Sequence, residues 1–99
     1  MSKFRRAAKI DSSQNEIVSA LRKIPGCTVQ VGHDDILVGY RLRTYWFELK
    51  EPGCVSRKTG LILGSSKKPG QKKLEAEWAG HYRIVSTLTE ILTEIGITL

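Results

Sequence analysis

The chain opens its periodic part with Ile17, Val18, Leu21 and Ile24, apolar positions at helical spacing. Ser13-Gln14-Asn15-Glu16 just before them has the capping-box form, in which a Ser hydroxyl and a Glu carboxylate satisfy free backbone N–H groups reciprocally. A first helix is predicted from there to Pro25-Gly26, with Arg22 and Lys23 toward solvent. The period then shortens. Cys27-Thr28-Val29-Gln30-Val31 alternates and is rich in β-branched residues, which predicts a strand at a sheet edge, since Thr28 and Gln30 share one face. Ile36-Leu37-Val38 and Tyr45-Trp46-Phe47 are continuous apolar runs, the pattern of strands covered on both faces. Gly39, inside the second strand, is a candidate bulge.

From Glu51 to Gly70 the pattern dissolves into Gly, Ser, Pro and Lys, broken only by Leu61-Ile62-Leu63, a candidate extra strand or partner contact. Connections this long inside a small domain are usually functional or mobile. Pro69 suits the first turn of a second helix, which Leu74 and Trp78 face inward and Gly80 ends. Tyr82 to Val85 reads as a fourth strand. Thr87-Leu88-Thr89-Glu90 opens a last helix with Leu88, Ile91, Leu92 and Ile95 as its apolar face and Gly96 as its C-cap. The expected order is αβββαβα, a mixed β-sheet flanked by helices, with the third and fourth strands parallel through a right-handed crossover.

Length and charge narrow this picture. Ninety-nine residues make one domain, 1–99, with a basic arm over 1–10 and a long basic loop over 51–69. No run of apolar residues approaches the ~20 needed to span a bilayer, and the basic start lacks the apolar core of a secretory signal. A cytoplasmic protein is expected. Cys27 and Cys54 form no Cys-x-x-Cys pair, so neither zinc nor a disulfide framework is indicated. The net charge of +6 favours polyanionic partners, nucleic acid first.

The stretch from Gly32 to Lys50 carries the chemistry. If the second and third strands form a hairpin centred on Arg41 and Leu42, Asp35 and Glu48 are equidistant from the turn and face each other. Opposed carboxylates repel unless a cation or proton lies between them. Strand alternation puts Lys50 on the side of Glu48. Asp35, Glu48 and the Leu49 carbonyl suit a hard divalent cation, Mg²⁺ or Mn²⁺, and Lys50 could orient a water or stabilise developing negative charge. Each part also has an ordinary explanation: Glu-x-Lys is a common cross-strand ion pair, Asp34-Asp35 is turn chemistry, and Glu16 serves the capping box. Their joint placement makes the functional case.

Gly32-x-x-Asp35-Ile36-Leu37-Val38-Gly39, then Phe47-Glu48-Leu49-Lys50, then Pro69-Gly70-Gln71 opening a helix, resembles the virus-type replication-repair nucleases (VRR-NUC) in their small stand-alone form from phages and bacteria. These belong to the PD-(D/E)XK nuclease superfamily. The likeness spans Asp11 to Gly96. It implies an α/β fold with a restriction-endonuclease-like core, metal ligation by Glu16, Asp35, Glu48 and the Leu49 carbonyl, and a catalytic set of Asp35, Glu48, Lys50 and Gln71. Asp34 stands where the family has Pro, so Asp34 and Asp35 are both candidate ligands, with Asp35 favoured because it directly precedes the apolar run. The resemblance further implies a Mg²⁺- or Mn²⁺-dependent DNA endonuclease of a bacterial or phage-infected cell, acting in DNA repair as a homodimer on branched DNA such as a Holliday junction. No small-molecule cofactor or membrane is implied. Arg5, Arg6, Lys9, Lys67, Lys68, Lys72 and Lys73 are the expected phosphate contacts. The alternative is a non-catalytic DNA-binding module on the same scaffold.

Overall fold

The computed structural model describes residues 14–33 and 35–97. A helix over 14–22 (α1) precedes strands β1 (Cys27–Val31), β2 (Asp35–Tyr40) and β3 (Arg43–Leu49). Helix α2 (Pro69–Glu77), strand β4 (Arg83–Val85) and helix α3 (Leu88–Ile95) follow. The strands form one mixed sheet in the order β1-β2-β3-β4. Neighbours are antiparallel except β3 and β4, which run parallel. The fold is α/β. Among the described residues, no helix is long and apolar enough to cross a membrane.

Burial divides β1 and β2 into two faces, whereas β3 and β4 also bury Glu48 and Ile84 on the face opposite the core. Ile36 and Val38 are buried while Leu37 between them is 43% exposed, so the expectation that this run is covered on both sides is wrong. Its Ile-Leu-Val sequence hides an alternation of environment that hydropathy cannot reveal. The buried face carries Cys27, Val29, Ile36, Val38, Phe47 and Val85, which join Val18 and Leu21 of α1 and Ile91, Leu92 and Ile95 of α3 in one core. Burial pushes the Cys27 thiol above its ordinary range, and Cys27 and Cys54 are free. On α1, Arg22 does not simply face water: its Nη2 donates to the Val29 carbonyl at 3.1 Å, occupying an acceptor on the edge strand.

The β2–β3 ladder runs without interruption, with Gly39 opposite Thr44, so Gly39 makes no bulge. The two-residue turn that closes it has positive φ at both centres, 51° at Arg41 and 67° at Leu42. This is the type I′ pattern that matches strand twist and is usually filled by Asn and Gly. For other L residues the left-handed region costs roughly 1–2 kcal/mol each.

The long connection is folded back on itself. Val55 bridges Ile62, Ser56 N donates to the Leu61 carbonyl and Leu63 N to the Cys54 carbonyl. The Ser56 hydroxyl accepts from the Lys58 and Thr59 amides at the tip, and short 3-10 turns at Pro52–Cys54 and Gly64–Ser66 bracket the excursion. Helix α2 buries none of its residues, ends at Glu77 rather than Gly80, and has Trp78 as its C-cap. Leu74 is half-buried and Trp78 is 51% exposed, so the expected inward face of this helix is not formed. Helix α3 begins as expected: Glu90 N donates to the Thr87 hydroxyl at 3.2 Å and the Glu90 carboxylate accepts from Thr87 N at 3.1 Å. It ends at Gly96 with φ 91°, where a left-handed residue satisfies terminal carbonyls.

Neighbouring substitutions test the one-sided sheet. Ile36→Ala should cost about 2–5 kcal/mol in urea unfolding, and Leu37→Ala less than about 1 kcal/mol because its side chain already meets water.

Candidate functional site

The β2–β3 register sets Asp35 directly opposite Glu48 and Leu37 opposite Trp46. All four therefore share the face that α1 and α3 leave uncovered. Glu48 is only 7% exposed, a buried carboxylate close to a second one. At the strand's end Lys50 N donates to the Val85 carbonyl at 2.8 Å, which ties the Glu-Leu-Lys segment to the parallel strand β4.

Two details fix the Asp35 carboxylate. Its Oδ2 accepts from the Trp46 indole Nε1 at 2.8 Å. Its Oδ1 occupies the space a Cβ on Gly32 would take, so only glycine fits there while the carboxylate keeps this position. The turn between them is closed by Gly32 N donating to the Asp35 carbonyl at 2.8 Å.

Trp46 is itself anchored through its backbone. Its amide N donates to His81 Nδ1 at 3.1 Å. An amide N–H can only donate, so Nδ1 is the accepting nitrogen and Nε2 carries the hydrogen it shares with Glu94 Oε2 at 3.0 Å. Glu94 Oε1 also accepts from Arg83 Nη1 at 2.7 Å. The imidazole thus extends the β3–β4 ladder one step beyond the start of β4.

An aromatic group borders the acids. Trp46 meets Tyr82 and Trp78 edge-on, with ring centroids 4.8 Å and 5.4 Å apart. Tyr82 precedes β4 rather than opening it. Its hydroxyl oxygen is buried and has no hydrogen-bond partner among the described residues. Burial, together with the negative charges of Glu48, Glu75 and Asp35, pushes the Tyr82 hydroxyl up to about 12. It stays protonated at neutral pH as a donor surrounded by carboxylates.

The other expected site residues are placed as follows. Gln71 sits in the first turn of α2, where its Oε1 accepts from Lys68 N at 2.9 Å, a capping role. Lys50 is half-buried, and its amine makes no hydrogen bond or ion pair among the described residues. Glu16 is exposed on α1 beside Asn15, Ser19, Ala20 and Lys23, on a helix packed against the opposite face of the sheet. Among the described residues no three His, Cys, Asp or Glu side chains gather as a metal-holding group, so Glu16 is not brought together with Asp35 and Glu48. Lys67 does not point freely to a phosphate: its Nζ pairs with Glu75 at 2.9 Å. Lys68, Lys72 and Lys73 are exposed around α2. Arg5, Arg6, Lys9, Ser13 and Asp34 lie outside the described residues.

Trp46, Tyr82, Glu75 and His81 are the residues that sequence reasoning missed. Trp46 was accessible to it, since alternation puts residues two apart on one face. Scans of the chain against protein-family models, curated proteins and solved structures return no match.

Two measurements check this geometry. Gly32→Ala should displace the Asp35 carboxylate and shift the Trp46 indole N–H resonance, with Trp78→Phe assigning the signal. In an alkaline absorbance titration one tyrosine should ionise near about 12, and Glu48→Gln should bring that midpoint down. Between the ordinary tyrosine range and about 12 the unfolded chain has already released this proton and the folded chain has not. Stability should therefore fall as pH rises through that window.

Proposed function

We propose that the protein is a divalent-metal-dependent DNA endonuclease with a PD-(D/E)XK core of the VRR-NUC type, selective for branched DNA in the manner of a Holliday-junction resolvase. The observation that carries this reading is the pairing of Asp35 with buried Glu48 across β2 and β3, with Lys50 two residues on at the β3–β4 junction. The element order and the parallel β3–β4 pair are compatible with such a core.

The donor set fits a hard cation. Asp35 and Glu48 are directly opposed across β2 and β3, and after burial their charges, with that of Glu75, add to the upward push on the Tyr82 hydroxyl. Asp35, Glu48 and the Leu49 carbonyl would hold Mg²⁺ or Mn²⁺, which supplies Lewis acidity at phosphorus and at an attacking water. The protein's own groups have separate tasks. Trp46 and Gly32 fix the Asp35 carboxylate so that little reorganisation accompanies reaction. The Lys50 amine stabilises negative charge growing on the phosphate oxygens. The neutral Tyr82 hydroxyl is a further donor close to the acids. Trp78, half exposed beside Trp46, offers a stacking surface to an unpaired base, which favours branched over continuous duplex DNA.

A homodimer would match a two-fold junction. Tyr40 and Trp46 are half-buried, whereas Leu61 is 68% and Leu63 40% exposed on the folded loop. These leucines are the better surface for a second copy. Sedimentation should show Leu61→Glu/Leu63→Glu shifting the protein toward monomer.

A second reading, a metal-independent DNA-binding module, is favoured by one specific feature: Asp35 is engaged by an indole and no third acidic ligand joins it among the described residues. Incubating the protein with four-way junction, flap, duplex and single-stranded DNA, with and without Mg²⁺ and Mn²⁺, separates the two. Glu48→Ala and Lys50→Ala should each reduce cleavage at least about a hundredfold with DNA affinity largely kept. Cleavage at the normal rate by either variant would remove the assignment. Calorimetry showing no divalent-ion binding by the wild type would favour the module.

A further inference from the structure

The Arg41-Leu42 turn is built against its own backbone preference. Both residues lie in the left-handed region, where Asn and Gly would fit with less strain. Leu42 is 107% exposed, so the strained turn displays a fully exposed apolar side chain. Strain retained without a gain in packing is a feature of functional positions.

Cations surround that leucine. The Arg41 guanidinium stands 5.3 Å over the Tyr40 ring, which restrains it beside the turn. Arg43 is exposed on the next residue. Arg41 and Arg43, with Tyr45 and Ile95, line an open cavity of about 330 Å³, large enough to seat a phosphate. A ligand suited to this tip has a narrow apolar slot bordered by anions.

We propose that the β2–β3 hairpin tip is a nucleic-acid wedge, in which Leu42 enters between base steps while Arg41 and Arg43 hold the flanking phosphates. Apolar wedges flanked by cationic contacts act in this way on duplex DNA, and unstacking is easiest where stacking is already interrupted. A single leucine presents too little apolar area to anchor a protein on a lipid surface, which favours the base stack over a membrane. The tip and the Asp35–Glu48 pair lie at opposite ends of β2, about 17 Å apart along the strand. That corresponds to roughly five base steps of 3.4 Å. The wedge itself does not depend on the nuclease reading; only this spacing from a cleavage position does.

The test uses metal-free binding, so that a failure of the wedge and a failure of catalysis give different results. Fluorescence anisotropy measures affinity for a four-way junction, and 2-aminopurine at the branch reports unstacking. Arg41→Asn/Leu42→Gly gives the turn its preferred residues. Its melting temperature should rise while junction affinity falls about tenfold through loss of a phosphate contact and the wedge, and the log–log salt slope should fall by about 1. Leu42→Ser should keep most of the affinity and lose the 2-aminopurine signal. Wild-type affinity and 2-aminopurine response in the double variant would overturn the wedge, even if metal-dependent cleavage is found. Leu42-dependent binding to vesicles of anionic phospholipid, with no 2-aminopurine response in the wild type, would overturn it in favour of a membrane contact.

Discussion

The register between β2 and β3 is the constraint on which the molecule depends. A two-residue turn fixes it, and a slip of one residue would exchange every side chain between the two faces. Ile36, Val38 and Phe47 would then leave the core, and Asp35 and Glu48 would enter it. Burying two carboxylates in an apolar layer is far less favourable than leaving them on the other face. The core and the acid pair thus specify the same alignment, and this agreement lets a strained Arg-Leu turn persist without an Asn-Gly signal.

Helices α1 and α3 both pack on one face of the sheet and leave the Asp35–Glu48 face uncovered. Helix α2 does not seal it, burying none of its own residues. The aromatic rings of Trp46, Trp78 and Tyr82 border the carboxylates instead. Burial of the Tyr82 hydroxyl raises its pKa first, and the negative charges of Glu48, Glu75 and Asp35 add to it. The same arrangement limits the movement of Asp35, whose carboxylate lies between Gly32 and the Trp46 indole.

Support for this face comes from the far side of the ladder. His81 accepts the Trp46 amide hydrogen and shares its own with Glu94, so α3, β3 and the approach to β4 are joined through one imidazole. Both ends of the segment from Trp46 to Lys50 are thereby held: Trp46 by His81, and Lys50 by the Val85 carbonyl. Such backbone anchors constrain strand position independently of side-chain rotamers.

Local pattern alone determined the element order, the caps at Thr87 and Gly96, and the hairpin centre that places Asp35 opposite Glu48. These follow from periodicity and from counting outward from a turn, operations confined to a few neighbouring residues. Tertiary structure decided the rest. Ile36-Leu37-Val38 is uniformly apolar, so only the position of α1 and α3 shows which of the three meets water. Glu16 and Gln71 are expected at the site only through the family resemblance, yet the structure leaves Glu16 on an exposed helix surface and uses the Gln71 side-chain carbonyl to cap α2. Tyr82 and Glu75 carry no local mark of a site. Tyr82 comes within the field of Glu48, Glu75 and Asp35 only because the crossover returns the chain parallel to β3, and such proximity between distant segments is set by packing rather than by adjacent residues.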